Sequence, residues 1–213
     1  MTNRILSFAL LLAVATCANP ASKKKKPSTG SFDYYVLSLS WSPEHCAETH
    51  DTSGQCSGTR SYGFVVHGLW PNAADGHNPE GCGGPAFDPS FATPDVLAVM
   101  PSVDLVKHEW EKHGTCSGLA PAEYFKRILD AYALVAVPTE LRTPDHQVTI
   151  APVALRDQFA TANPSFGANV FSIVDNGKYL QEVRVCLTKD LAPFACQARG
   201  DTRTKPIILR PSR

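Results

Sequence analysis

The chain has 213 residues, 43% apolar and 19% charged, with 20 basic and 20 acidic side chains that cancel. That length suits one domain with a real hydrophobic core, or at most two small ones, and the composition is that of a globular protein. The cancellation hides an asymmetry. From Ser31 onward there are 15 Lys/Arg against all 20 Asp/Glu, a net of −5, which excludes the global basic footprint of a non-specific nucleic-acid binder and leaves any polyanion to a local cluster.

Arg4 precedes an apolar run, Ile5 to Val14, and small residues follow up to Ala18. Residues 1–18 therefore read as a secretory signal peptide, too short to span a bilayer, and imply a secreted or periplasmic protein. A lipid anchor on Cys17 is the alternative, because Val14-Ala15-Thr16-Cys17 loosely resembles a lipoprotein box. No later segment is apolar enough to cross a membrane. Residues 19–31, with Lys23 to Lys26 followed by Pro-Ser-Thr-Gly-Ser, read as a disordered Lys-rich tether. Residues 32–213 are left as the folded domain.

"DYYVLSLSW" (33–41) alternates and predicts a strand. "HCAETHDTSGQC" (45–56) is a polar excursion between two cysteines. "YGFVVHGLW" (62–70) predicts a buried strand ending at Gly68. Residues 71–90 form a long loop rich in Pro, Gly, Asn and Asp, a kind that is usually functional or stapled, and Cys82 sits within it. "PSVDLVKHEWEKHG" (101–114) predicts a helix stopped by Gly114. "PAEYFKRILDAYALV" (121–135) predicts another, with Tyr124, Ile128, Tyr132 and Val135 on one face. Residues 152–162 form a shorter helix. Residues 169–187 form two strands around Asp175-Asn176-Gly177, a hairpin turn. "PIIL" (206–209) is a last edge strand. Strands and helices mix without a βαβ rhythm or internal repeat, so the fold class is α+β with an antiparallel sheet.

With Cys17 set aside, six cysteines remain: Cys46, Cys56, Cys82, Cys116, Cys186 and Cys196. An even count in an exported chain argues for three disulfides, and spacing alone does not choose among the fifteen pairings. No Cys-x-x-Cys pair occurs, which disfavours a zinc ribbon.

The densest chemistry lies in "KHEWEKHGTC" (107–116). On a helix of about 100° per residue, with His108 at zero, Lys112 falls near ~40°, Glu109 near ~100° and His113 near ~140°. Four ionisable side chains thus share one face, and Trp110 points away into the core. A zinc-protease helix needs histidines at i and i+4. Here they stand at i and i+5, and a lysine beside them would repel a divalent cation. Proton transfer fits better: histidine serves as acid or base near neutrality, Lys112 offers fixed positive charge, and Glu109 can orient His113. The missing partner is a second imidazole. His67 in "FVVHGLWPN" is the candidate, at the end of a buried strand where packing would fix its aim. Trp70 either offers a ring on which a base stacks, worth about 1–3 kcal/mol, or is a core residue.

"HGLWPN" and "KHEWEKHGTC" together resemble the two active-site segments of the ribonuclease T2 family, secreted endoribonucleases that use histidines. The resemblance runs from "VLSLSWSPEHC" to "VRVCL…C", and is especially close to bacterial members. It implies an α+β fold, a central antiparallel sheet flanked by helices. It also implies roles. His113 matches the general base that takes the ribose 2′-OH proton, and His67 the acid that protonates the leaving 5′-oxygen. His108 matches the phosphate-binding histidine. Glu109 and Lys112 match the pair that stabilises the phosphorane, and Trp70 the tryptophan that stacks on a base. Asn72 stands where some members carry an acidic residue that selects adenine. Leu105 stands where an aromatic residue often receives the second base, so discrimination there should be weaker. The implied disulfides are Cys82–Cys116 and Cys186–Cys196, with Cys46–Cys56 as the remaining pair.

The expected partner is single-stranded RNA, cleaved by a monomer through a 2′,3′-cyclic phosphate to a 3′-phosphate, with no metal or cofactor. DNA, lacking the 2′-OH, should not be cleaved. The competing readings are a zinc hydrolase and a family member turned binding protein; five filled polar positions argue against the second.

Overall fold

The computed structural model describes residues 29–58, 60–196 and 202–212; the expected signal peptide and all but the end of the expected tether lie outside them. Four antiparallel strands form the central sheet: β1 (Tyr34–Trp41), β2 (Phe64–Asn72), β4 (Phe171–Asp175) and β5 (Leu180–Thr188), in the order β2-β1-β5-β4. A separate pair, β3 (Val148–Ile150) and β6 (Ile207–Leu209), forms a small second sheet. The expected last strand thus exists, but it pairs with β3 rather than with the central sheet. β3 escaped notice because three residues carry no period.

Alternation divides the sheet into two faces. Leu37, Leu39, Val66, Leu69, Val183, Val185 and Leu187 belong to the main apolar core. Helix α5 (Pro121–Ala133) adds Tyr124 and Ile128 to it, and α6 (Pro152–Ala162) adds Leu155 and Phe159. The periodic residues Tyr124, Ile128 and Val135 are buried as expected, and Tyr132 packs at the margin. On the other face, Ser38 and Ser40 of β1 lie beside Arg184 and Glu182 of β5. That polar face is where the site is built.

The polar excursion after β1 folds as two short helices, α1 (Ser42–Thr49) and α2 (Gly54–Ser57), rather than as a loop. Pro43 opens the first, and the Ser53 side chain caps the second by accepting from the Gln55 amide. A short helix α3 (Pro94–Val99), capped by Thr93, follows the long loop and was not expected. Helix α4 (Val103–Lys112) is shorter than its sequence pattern: Ser102 caps it by accepting from the Leu105 amide, and His113 is already the C-cap.

The three disulfides are Cys46–Cys56, Cys82–Cys116 and Cys186–Cys196, the pairing that the resemblance implied. Cys82–Cys116 ties the long loop to the residues just after α4. Gly81 reinforces the tie by donating its amide to the Lys112 carbonyl at 2.8 Å.

Candidate active site

β2 does not end at Gly68; it runs on to Asn72. Its register against β1 jumps from Gly68–Ser38 to Val66–Leu39, so His67 is an extra residue with no opposite number. This is a β-bulge, a device that re-aims a side chain without ending the strand. Gly68 serves a different purpose. A Cβ there would lie 1.9 Å from Oε2 of Glu109 and 2.5 Å from Nε1 of Trp70. The glycine is the space through which α4 brings a carboxylate to the strand.

Helix α4 packs against β2, one of the two edge strands of the central sheet. Trp110 points into the core, and its indole donates to the Pro85 carbonyl at 2.9 Å. That anchor turns the opposite side of α4 toward the polar face. His108, Glu109, Lys112 and His113 then line one cavity of about 450 Å3 with His67, Trp70 and Asn72. His113 reaches it from the helix C-cap, where its amide still donates to the Glu109 carbonyl at 3.0 Å.

The rings meet around Trp70. Its centroid is 5.2 Å from that of His67, edge-on, and 5.3 Å from that of His113. Its indole Nε1 donates to Oε2 of Glu109 at 2.8 Å, and its backbone carbonyl accepts from the side-chain Nδ2 of Asn72 at 2.9 Å. Of the two readings left open by the sequence, the structure gives the cavity wall. Trp70 is half-buried and outside the main core cluster.

Electrostatics set the two histidines apart. His113 is buried and its Nδ1 has no hydrogen-bond partner among the described residues. Burial, then the positive charges of Lys112, His108 and His67, bring its pKa down to about 3. Burial also acts to lower the pKa of His67. The Glu182 hydrogen bond and the charges of Glu109 and Glu182 outweigh it, so this imidazole titrates above its ordinary value. Glu109 is fully buried, with Oε1 3.6 Å from Nε2 of His67. Burial raises its pKa to about 7, against the opposing pull of His67, the Trp70 indole and Lys112.

Leu105 stands apart. It lines a neighbouring cavity of about 530 Å3 with Asp51, Ser53 and Gln55 from the Cys46–Cys56 loop; His67 and His108 border both cavities. Among the residues of the first cavity that were not anticipated are two charged ones of β5, Glu182 and Arg184. Their only sequence signal is a pair of charges at alternate positions in "LQEVRVCL", which reads as the wet face of a strand. Nδ1 of His67 donates to Oε1 of Glu182 at 2.7 Å, and Arg184 binds Oε2 through Nε at 2.8 Å. The Arg184 guanidinium also lies 5.0 Å from the centre of the Trp70 ring. With Lys112, it places two basic side chains on the cavity wall.

Among the described residues, one grouping of three ligand-type atoms lies within 4.8 Å: His45, Asp51 and Cys56. The Cys56 sulfur is already bonded to Cys46, so no thiolate is offered there. No helix among the described residues is long and apolar enough to cross a membrane.

Known proteins share this arrangement of chain. The fold is similar to that of trichomaglin, described as an S-like ribonuclease, with a TM-score of 0.69 at 22% identity over 85% of this chain and 98% of that one. It is likewise similar to an RNase-related protein from Calystegia sepium, with a TM-score of 0.67, 22% identity and the same coverage. A ribonuclease of Aeromonas hydrophila is 35% identical over 167 residues, 78% of this chain and 76% of that protein. Residues 32–196 match the model of the Ribonuclease T2 family, and the chain belongs to that family of RNA-cleaving enzymes.

Proposed function

We propose that the protein cleaves single-stranded RNA with two histidines, His113 as general base and His67 as general acid. One observation carries this reading. Two imidazoles from separate elements border one cavity, and their surroundings push their pKa values apart, one down and one up. His113 takes the proton from the ribose 2′-OH. The 2′-oxygen attacks phosphorus, the bond to the 5′-oxygen breaks, and His67 gives that oxygen its proton. The 2′,3′-cyclic phosphate is then opened in reverse order: His67 takes a proton from water, the water oxygen attacks phosphorus, the bond from phosphorus to the 2′-oxygen breaks, and His113 gives that oxygen its proton. His108 holds the phosphate, and Lys112 with Glu109 stabilises the phosphorane. Trp70 presents a ring to the base, beside Asn72. Leu105 borders the second base's place, where an aliphatic side chain stacks poorly.

RNA brings its own nucleophile, so the reaction calls for positioning and two proton transfers, without metal or cofactor. Histidines five residues apart, one on α4 and one at its cap, support this over a zinc site. DNA, lacking the 2′-OH, is not cleaved. The enzyme is taken to act as a monomer outside the cytoplasm, with residues 1–18 removed as a signal and 19–31 as a tether; the mass of the mature N-terminus tests this and reveals any lipid on Cys17.

The deciding experiment is digestion of RNA by the oxidised protein in excess EDTA, with analysis of the ends. Cyclic-phosphate ends are expected, and none from His67→Ala or His113→Ala. Activity lost on chelation, or undiminished in both variants, overturns the reading.

A further inference from the structure

We propose that Glu182, held by Arg184, is a positioning residue that fixes the tautomer of His67 and keeps its Nε2 ready to give a proton. The inference rests on His67 being the acid.

β1 lies between β2 and β5, so His67 and Glu182 are two strands apart, roughly 9–10 Å between backbones. The contact depends on three local features. The bulge frees His67 from strict alternation. The intervening positions of β1 on this face are Ser38 and Ser40, which leave the space between open. Arg184, two residues along β5, binds the far oxygen of Glu182 through Nε at 2.8 Å and a terminal nitrogen at 2.7 Å. Each oxygen of the carboxylate thus has its own partner, and the group cannot turn without breaking both contacts.

The chemistry follows from which nitrogen is engaged. With Nδ1 donating to Glu182, the proton available for transfer sits on Nε2, the nitrogen on the Glu109 side. A neutral acceptor could hold the same geometry. An ionised one also stabilises the imidazolium, which the acid must be before it acts. Burial alone would raise the Glu182 pKa, but the His67 bond and Arg184 bring it down to about 2. The titratable and charged groups that share a cavity with His67 are Glu182 and Arg184 from β5, His108, Glu109, Lys112 and His113 from α4 and its cap, Glu44, His45 and Glu48 from α1, and Asp51, Glu80, Asp104 and Tyr34 around them. Glu182 is the one in hydrogen-bond contact. Its neutralisation would leave Arg184 uncompensated beside the imidazole, so His67 should lose its proton at lower pH.

A pair of substrates separates positioning of the acid from support of the fold. The dinucleotide UpU needs a proton on its departing 5′-oxygen, whereas uridine 3′-(p-nitrophenyl phosphate) releases a phenolate that needs none. Glu182→Gln should lower kcat/KM for UpU about 10- to 100-fold, short of the ~10²–10⁴-fold typical of losing the proton transfer itself. It should leave the aryl ester within about 3-fold, since that reaction does not draw on the general acid. The alkaline limb of the UpU profile should move to lower pH, and Glu182→Asp should restore part of both. Equal losses on the two substrates, or an unmoved alkaline limb, overturn the proposal. His67→Ala is the control. If it spares the aryl ester and Glu182→Gln does not, Glu182 is structural and the acid assignment stands; if His67→Ala cleaves UpU like the parent, the acid assignment itself falls. Should Glu182→Gln fail to fold, the same comparison is made with Arg184→Gln. It should lower UpU cleavage more than ester cleavage, and equal effects sink the idea.

Discussion

The indole nitrogen of Trp70 donates to Oε2 of Glu109 across 2.8 Å, so the ring proposed to stack on a base is tied to the carboxylate proposed to stabilise the phosphorane. Trp70→Phe keeps a ring and removes the donor. Glu109 is buried, and its Oε1 has no hydrogen-bond partner among the described residues, so losing the indole should cost about 1–3 kcal/mol of stability. Urea unfolding checks this. In kinetics, Trp70→Phe should lower kcat more than it raises KM, whereas Trp70→Ala should also raise KM by removing the stacking surface.

Gly68→Ala tests the close approach of α4 to β2. The added methyl would meet the Glu109 carboxylate at 1.9 Å, and one of them must move. Forcing atoms into a filled site costs roughly 1–3 kcal/mol. Activity should fall by more than the folded fraction does, because the displaced group is Glu109 itself. Circular dichroism melting and RNA cleavage on the same sample make the comparison.

The two histidines predict an asymmetric pH dependence. For the free enzyme, kcat/KM should rise as His113 loses its proton near pH 3 and fall as His67 loses its own at a pH above the ordinary imidazole value. A bound phosphodiester offsets the positive groups around His113, so the acid limb of kcat should lie at higher pH than that of kcat/KM. Stability has its own sign. Between about 3 and 6.5 the unfolded chain protonates His113 and the folded one does not, so this group makes stability rise with pH. Glu109 acts oppositely from 4.5 to about 7, where the folded state holds the proton. His113→Ala should therefore flatten the rise seen below pH 4.5 in thermal melts.

Removal of Cys82–Cys116 should hurt more than removal of either other disulfide. Its ends are 34 residues apart, against 10 for the others. On a chain-entropy basis that is about 4 kcal/mol against about 3. The loop it holds also brings Glu80 to the cavity, 3.7 Å from Nζ of Lys112. A Cys82→Ala/Cys116→Ala variant should lose activity at temperatures where it is still folded; a Cys46→Ala/Cys56→Ala variant should lose mainly stability.

The legible part of this protein was what is local. Helical spacing put His108, Glu109, Lys112 and His113 on one side of α4, and they do share a cavity. Alternation found β1, and the turn residues Asp175, Asn176 and Gly177 marked the hairpin of β4 and β5. The motif that carries His67 was legible too, but not the bulge that aims it, because a bulge is a mismatch between two strands and neither shows it alone. Gly68 looked like a stop for the same reason: the atom that needs its space belongs to Glu109, far along the chain. Glu182 and Arg184 were missed because a strand's outward charges look solvated until the strand order sets them beside a histidine.

The irregularities of β2 bear on more than catalysis. It is an edge strand, and an edge with a regular row of free amides and carbonyls can template a strand from another molecule. Here the row is broken by the extra residue at His67 and by Pro71, which has no amide to donate. The backbone feature that aims the proposed acid also makes this edge a poor seed for aggregation.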